Sequence, residues 1–357
     1  MRIGLYGLPT AGKTYVLNFI HGLDVFAGNA LLHETAPDFH LLTEDAKDAV
    51  RKKLATTLRK KDNFIMDGHF SFGDNIVFTE ADGQLYDVFL YLYVSPHILK
   101  SRIENSERNY KYLKYDLDSW QNMEINALRD YCHRNNKDFY VLDDPEKGYL
   151  SDIKIILNFI DSIVSGFSCR ISAERLASEI LGKVSDGTII LSDGDKTLTL
   201  EDSSALMGYS THLFDGNFYT GFQSWRHNNE MMIFLNSLDS SYKSIEKLEF
   251  HYNVEIIDKM KENSFILTSG YYGIWKQISK KIDIPVFYGN YMSADTKFFI
   301  TKILREHGKK VIAYGDGMND FFMLREADEG YLVLKQDGSI SRSLKGKELE
   351  GIAFVRT

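Results

Sequence analysis

Cysteine is nearly absent: Cys132 and Cys169 are the only two in 357 residues, and neither stands in a metal-binding or redox spacing. That excludes a disulfide framework or thiolate metal centre and predicts idle, buried thiols in a reducing, cytoplasmic setting. Proline is also scarce, with five residues, which leaves little room for a proline-rich linker. The 44% apolar and 26% charged content is that of a chain that folds throughout. No apolar run approaches the ~18 residues that span a bilayer. Glycines, Pro9 and Lys13 interrupt any signal-peptide core near the start, so neither membrane insertion nor export is expected. A basic excess is lacking too: the formal net charge of −8 gives no broad cationic surface for long nucleic acids and suits small phosphorylated partners better.

What is present is organised twice over. A chain of this length exceeds one ordinary hydrophobic core and predicts two domains. Short apolar runs at residues 3–6, 64–66, 88–94 and 139–142 alternate with helical spacing, as in 44–58, where Ala46, Ala49, Val50, Leu54 and Leu58 share a face. A helix over 149–164 closes this unit, and Ser165-Gly166 marks a boundary, giving domains 1–166 and 167–357. A helix over 172–183 leads into strand 188–191, after which strands near 265–267, 286–288, 311–314 and 330–333 alternate with helices. Buried runs separated by helices predict parallel sheets, hence an α/β class with two doubly wound parallel-sheet domains. Residues 199–263 interrupt the second domain with aromatic and helical character and read as an inserted cap.

Directly after the first apolar run stands Gly7-Leu8-Pro9-Thr10-Ala11-Gly12-Lys13-Thr14, a G-x-x-x-x-G-K-[ST] phosphate loop. Glycines at these positions let main-chain amides and a helix start surround phosphate oxygens, with Lys13 on the β- and γ-phosphates of ATP and the Thr14 hydroxyl on Mg²⁺. The run 64–66 ends in Asp67-Gly68-His69, where Asp67 holds the Mg²⁺ water shell or orients the acceptor and His69 packs or hydrogen-bonds on the acceptor side. Beyond Ser95-Pro96, Arg102 and Arg108 leave a helix towards a mobile segment, where two guanidiniums can clamp the transferring phosphoryl group. Together these features resemble the adenylate-kinase-like P-loop kinases over residues 1–165. The resemblance implies an acceptor site around residues 31–54, with His33, Glu34, Asp38 and Arg51 as candidates, none singled out by spacing.

In the second half, Ile189-Ile190-Leu191-Ser192-Asp193-Gly194-Asp195-Lys196-Thr197 puts two aspartates at the end of a buried run. Thr268 and Ser269 follow a second run, Lys297 opens a helix, and Gly315-Asp316-Gly317-Met318-Asn319-Asp320 follows a third. In this order the strings resemble the four motifs of the haloacid-dehalogenase superfamily, over residues 185–345, which implies a Rossmann-like fold. The resemblance makes Asp193 the nucleophile and Asp195 the acid and base. Thr197 braces the turn, and Thr268, in preference to Ser269, binds the phosphoryl group, whose charge Lys297 neutralises. Mg²⁺ falls to Asp193, Asp316 and the Asp195 main-chain carbonyl, with support from Asp320. The insertion resembles the helical cap of the phosphoserine-phosphatase-like branch, where Phe214, Phe218, Tyr219, Phe222, Trp225 and Arg226 either pack the cap or read the substrate.

The resulting expectation is a bifunctional kinase and phosphatase acting on small metabolites such as nucleosides, nucleotides or related sugars and alcohols. Two alternatives remain: a polynucleotide 5′-kinase/3′-phosphatase, and a phosphatase regulated by an ATP-binding module that transfers no phosphate.

Overall fold

The computed structural model describes residues 1–238, 248–260, 262–288 and 292–356. The chain divides into two compact units, Met1–Phe167 and Ser168–Thr357. Both are α/β with parallel central sheets.

The first unit contains, in chain order, β1 (Arg2–Tyr6), β2 (Asp24–Ala27), β3 (Phe64–Asp67), a hairpin of β4 (Ser71–Phe72) and β5 (Asn75–Ile76), β6 (Val88–Leu92) and β7 (Asp138–Leu142). The sheet runs β2-β3-β1-β6-β7, all parallel. β6 and β7 are buried along their whole length, which is why they read as continuous apolar runs rather than alternating ones. β2 lacks such a run: it is a largely exposed edge strand, held by the ladder that β3 offers it, so its sequence carries no strand signal. Helix Glu44–Leu58 starts where Thr43 accepts from the Ala46 amide (3.4 Å). The expected face is covered at Leu58, which is buried, and at half-buried Ala46, Val50 and Leu54, whereas Ala49 is exposed and Ala55 is buried in its place. Helix Ile153–Val164 buries Ile156, Phe159, Ile160 and Ile163, with the Phe159 ring edge-on to Tyr140 (5.2 Å).

The second unit has β8 (Thr188–Ser192), β9 (Ser264–Thr268), β10 (Val286–Tyr288), β11 (Lys310–Gly315), β12 (Glu329–Val333) and β13 (Ile352–Val355), again all parallel, in the order β10-β9-β8-β11-β12-β13. Period two decides the core. Ile189, Leu191, Phe265, Leu267, Val311 and Ala313 face helices Cys169–Lys183 and Ala294–Glu306 on one side of the sheet. Ile190, Ile266, Ile312 and Tyr314 face Trp275, Ile278 and Met231 on the other. β13 was not foreseen, and it too is an edge strand, paired only with β12. Cys132 and Cys169 are both buried thiols.

The insertion is stitched at its neck: Leu200 donates to His251 (2.9 Å), Asn253 to Leu198 (2.9 Å), and Thr199 bridges Tyr252. It carries helices Ser203–Leu206 and Gly221–Ser237, with Val254–Ile257 just past the neck. Of the expected cap, residues 239–247 and 261 lie outside the described residues. Among the described residues no single helix is long and apolar enough to cross a membrane. In each unit the first strand lies between strands reached in opposite directions, β8 between β9 and β11 and β1 between β3 and β6. Such a reversal opens a crevice at the carboxyl ends of the strands.

Candidate active sites

In the second unit the residue after β8 is Asp193, whose amide donates to Tyr314 O near the end of β11 (2.9 Å). The chain then turns sharply, with Thr197 and Leu198 donating to Gly194 O (3.2 and 2.8 Å) and Lys196 left-handed at φ 59°. Thr197 does not brace this turn as expected: its buried hydroxyl has no hydrogen-bond partner among the described residues, and main-chain bonds hold the turn instead. Buried Trp275 presses on both neighbouring loops. A Cβ at Gly194 or Gly270 would lie 2.4 or 2.5 Å from its indole, so neither position accepts a side chain without movement.

Asp316 and Asp320, after β11, complete a cluster in which one carboxylate oxygen from each of Asp193, Asp316 and Asp320 lies within 4.8 Å of the others. Lys297, wholly buried on helix Ala294–Glu306, donates to Asp193 Oδ1 (2.5 Å) and Asp320 Oδ1 (2.7 Å). Ser293 starts that helix by accepting from the Thr296 amide (3.2 Å). The second oxygen of Asp320 accepts from the Asp316 and Gly317 amides (3.2 and 3.3 Å), so Asp320 shapes the loop and contributes charge while Asp193 and Asp316 keep oxygens for a ligand.

Three carboxylates against the buried Lys297 ammonium, with Lys196 acting on Asp316 from the neighbouring turn, leave a negative excess. Burial first and the charge of Asp320 second push Asp193 well above the ordinary carboxylate range and bring Asp316 to about 7. Burial alone would lower Lys297, but Asp193 and Asp320 outweigh it and raise the ammonium above its usual value. An oxygen-only donor set with uncompensated charge fits a hard divalent cation such as Mg²⁺.

Asp195 accepts from the Ser203 amide (2.7 Å) and hydroxyl (3.0 Å), at the first helix of the insertion. Burial, with the charge of Asp202 behind it, raises its carboxyl to about 6. Thr268 Oγ1 accepts from the Gly270 amide (3.0 Å), whereas Ser269 Oγ donates to Met292 O (2.5 Å) and receives Asn319 Nδ2 (3.0 Å). Ser269 is thus committed to holding the Asp316–Asp320 loop, and Thr268 is the hydroxyl that borders the cavity with fewer ties. The cavity over Asp193, Asp195, Thr268 and Asp316 measures about 1300 Å³. Tyr209, Phe214, Tyr219 and His227 of the insertion line it; Phe218 and Phe222 are buried and Arg226 is turned to Glu230 (3.8 Å) and the Phe222 ring (5.9 Å).

In the first unit the phosphate loop follows β1 with positive φ at Gly7 (146°), Thr10 (66°) and Gly12 (107°). A Cβ at Gly7 would meet Leu92 O at 2.8 Å, which demands glycine on packing grounds as well. Lys13 Nζ donates to Gly7 O (2.5 Å) and Leu8 O (3.1 Å), and burial lowers it to about 8 against the opposing charges of Glu124 and Asp67. Thr14 is exposed. Asp67 Oδ1 accepts from the Gly28 amide at the head of helix Gly28–Thr35 (2.8 Å), leaving Oδ2 for other work.

The two arginines part company. Arg102 reaches back to the Thr10 and Ala11 carbonyls (3.3 and 3.1 Å) and lies over the Tyr149 ring (5.2 Å), beside a cavity of about 370 Å³ lined also by Gly12, Tyr15 and Ile153. Arg108 is exposed and acts on His69 through its charge. His69 leans on Phe72 (4.6 Å), and its buried Nδ1 has no hydrogen-bond partner among the described residues. Burial, then Lys13 and Arg108, holds the imidazole well below its ordinary value and therefore neutral. Of the other acceptor-side candidates, Arg51 pairs with Asp48 (2.6 Å) over Phe39 and His33 contacts Pro37 O (3.3 Å).

Glu124, unmarked by any motif, acts on Lys13 through its charge. It is 1% exposed and accepts from the Ser71 amide and hydroxyl (2.9 and 2.8 Å), Tyr91 (2.9 Å) and Trp120 (3.1 Å), tying the hairpin after Asp67 to β6. Only the rarity of an unpaired glutamate among Trp120, Ile125 and Leu128 on one helix face signals it in the sequence.

No protein-family model matches the chain, and no curated protein matches it. Solved structures resemble it in part. A substrate-bound phosphoserine phosphatase complex is 16% identical over 42% of this chain and 87% of that one, with a TM-score of 0.32. Shikimate kinase from Bacteroides thetaiotaomicron is 18% identical over 46% and 98%, with a TM-score of 0.32. A HAD family hydrolase from Salmonella enterica subsp. enterica serovar Typhi is 16% identical over 47% and 67%, with a TM-score of 0.33.

Proposed function

We propose that the chain is a bifunctional phosphoryl-transfer enzyme, an ATP-dependent kinase in Met1–Phe167 and a Mg²⁺-dependent phosphomonoester phosphatase in Ser168–Thr357, acting on small phosphorylated metabolites. The observation that carries the reading is Lys297 Nζ set between Asp193 Oδ1 and Asp320 Oδ1, with Asp316 completing the cluster. In the phosphatase an Asp193 oxygen forms a bond to phosphorus as the ester P–O bond breaks, and Asp195 gives the leaving alkoxide its proton. Asp195 then takes a proton from water as that water's oxygen displaces Asp193, releasing inorganic phosphate. Lys297 and Thr268 hold the phosphoryl oxygens. Asp193, Asp316 and the Asp195 carbonyl would hold Mg²⁺, which when bound screens the repulsion between carboxylate and phosphate.

In the kinase, Lys13 and the loop amides bind the phosphates of ATP, and its base occupies the cavity beside Arg102 and Tyr149. Thr14 would offer its hydroxyl to the Mg²⁺ that accompanies the nucleotide. The free oxygen of Asp67 orients the acceptor hydroxyl and takes its proton as the acceptor oxygen bonds to the γ-phosphorus and the bond from that phosphorus to the bridging oxygen breaks, releasing ADP, with Arg108 neutralising charge.

A crossed pair of substitutions in the full chain tests this. Asp193→Asn should abolish p-nitrophenyl phosphate hydrolysis and spare ATP consumption with a nucleoside or nucleotide acceptor panel; Lys13→Ala should do the reverse. Wild-type hydrolysis by Asp193→Asn, or wild-type ATP turnover by Lys13→Ala, defeats the corresponding half.

One observation favours polynucleotide ends as the substrate instead. At the carboxyl ends of β9 and β10, Tyr272 and Tyr288 stack at 3.7 Å, with exposed Lys276 over the Tyr272 ring (5.2 Å) and exposed Lys280 acting on it through charge, an arrangement on which single-stranded bases can lie. Phosphorylation of a 5′-hydroxyl oligonucleotide in preference to nucleosides would promote that reading.

A further inference from the structure

The cavity over Asp193 gathers most of its bases in one segment. Asp193, Asp195, Asp316 and Asp320 stand near the strand ends with Lys196 among them, and Glu201, Asp202 and Asp215 line the cavity from the insertion, whereas the segment after β12 contributes Lys335, Arg342, Lys345 and Lys347 with Asp337 as its one acid. No motif marks this segment in the sequence.

It is nonetheless a built wall. Ser343 Oγ accepts from the Met318 amide inside the Asp316–Asp320 loop (3.1 Å) and pairs with Ser341 Oγ (3.0 Å), and Leu344 is 1% exposed in the core beneath. Lys335 begins a turn closed by the bond from the Gly338 amide to its carbonyl (2.8 Å). The wall is therefore registered to the loop that carries Asp316. Arg342 reaches Asp215 across the cavity mouth (3.2 Å), with side chains 83% and 48% exposed. A pair so wet is weak and gives way readily to a better anion. The cavity, at about 1300 Å³, also exceeds the ~300–1000 Å³ usual for a small-molecule site, so a phosphoryl group at Asp193 leaves room for a large leaving group.

We propose that this wall binds a second phosphate on the alcohol whose ester Asp193 cleaves, so that the second unit selects phosphomonoesters bearing a further phosphate. The inference rests on the phosphatase reading above. Compact, strongly hydrated ammonium groups on flexible stems suit a phosphate whose position varies with the leaving group. The second phosphate belongs either to a free bisphosphorylated metabolite, the product class of a kinase acting on a phosphorylated alcohol, or to the diester next to a terminal 3′-phosphate on an oligonucleotide.

The test compares kcat/KM of the full chain, with Mg²⁺, for p-nitrophenyl phosphate, a nucleoside 3′,5′-bisphosphate and a short oligonucleotide 3′-phosphate. The wild type should favour one of the latter two by at least ~10-fold, chiefly through KM. The double variant Lys335→Gln/Lys345→Gln, two exposed positions whose folding is checked by thermal unfolding, should bring the ratio towards one, as should about 0.5 M salt. Preference for the bisphosphate identifies a free metabolite, and preference for the oligonucleotide identifies a strand end. Equal rates in the wild type, or an unchanged ratio in the variant, overturn the inference while leaving the phosphatase standing. Failure to hydrolyse any of the three removes both.

Discussion

Replacing Lys297 by methionine should destabilise the second unit steeply and in a pH-dependent way. Methionine fills a similar volume, so the change removes charge with little cavity. What it leaves is Asp193 and Asp320 without the ammonium that sits 2.5 and 2.7 Å from them, in a place where Lys297 is 0% exposed. Stripping one partner from a buried ion pair costs about 3–5 kcal/mol. For a unit of this length each kcal/mol moves the melting temperature by about 2–4 °C, so the transition should fall by roughly 6–20 °C near pH 8.

The sign of the pH effect follows from the carboxylates. Burial and Asp320 hold Asp193 above the ordinary range even with Lys297 present, and the substitution raises it further. A carboxyl raised in the folded state contributes stability that is fully present below its unfolded value and lost as pH rises through the folded one. The deficit should therefore be small near pH 4 and grow towards pH 8. Saturating Mg²⁺ should recover part of it, about 2.7 kcal/mol at a hundredfold excess over Kd. Calorimetry of the full chain at several pH values, with and without Mg²⁺, is the assay. A shift under about 2 °C at pH 8, or one of equal size at pH 4 and pH 8, refutes the reasoning.

Two further outcomes are expected. His227, held neutral by burial with its imidazole lowered to about 4, contributes stability that is complete above its unfolded value near 6.5 and is lost as pH falls through 4, at most about 3 kcal/mol. His227→Phe keeps the ring contacts to Tyr209 and Phe214 (5.5 Å each), so its melting curve should pull ahead of the wild type between pH 6.5 and 4; parallel curves would show that the buried imidazole is not acid-sensitive. Gly270→Ala places a methyl 2.6 Å from Asp195 Oδ2 and against Trp275, and should lower phosphatase kcat by about tenfold or more while ATP consumption by the first unit is unchanged; a wild-type kcat would mean that Asp195 need not stay where it stands.

The amino-acid sequence by itself determined the local chemistry. The phosphate loop from Gly7 to Thr14, the pair Asp193 and Asp195, and the run from Asp316 to Asp320 are legible because each needs fixed spacing within one turn of chain. Strands buried on both faces are legible because they write continuous apolar runs, as in central β6 and in β7 at the sheet edge. Edge strands β2 and β13 are not, since a neighbour's hydrogen bonds make them and most of their side chains meet water.

Only the tertiary structure decided which distant groups lean on that chemistry. It set Ser203 on Asp195, Trp275 under Gly194 and Gly270, Ser343 on the Asp316 loop and Glu124 beneath the hairpin after Asp67. It also separated Arg102 from Arg108, sending one to the phosphate-loop carbonyls, and left the Thr197 hydroxyl without a bond among the described residues. Such contacts join residues from separate elements, so they depend on how sheets and helices pack rather than on any spacing along the chain. For the same reason the lysines of the cavity wall acquire meaning only once the segment after β12 brings them to the cavity that Asp193 lines.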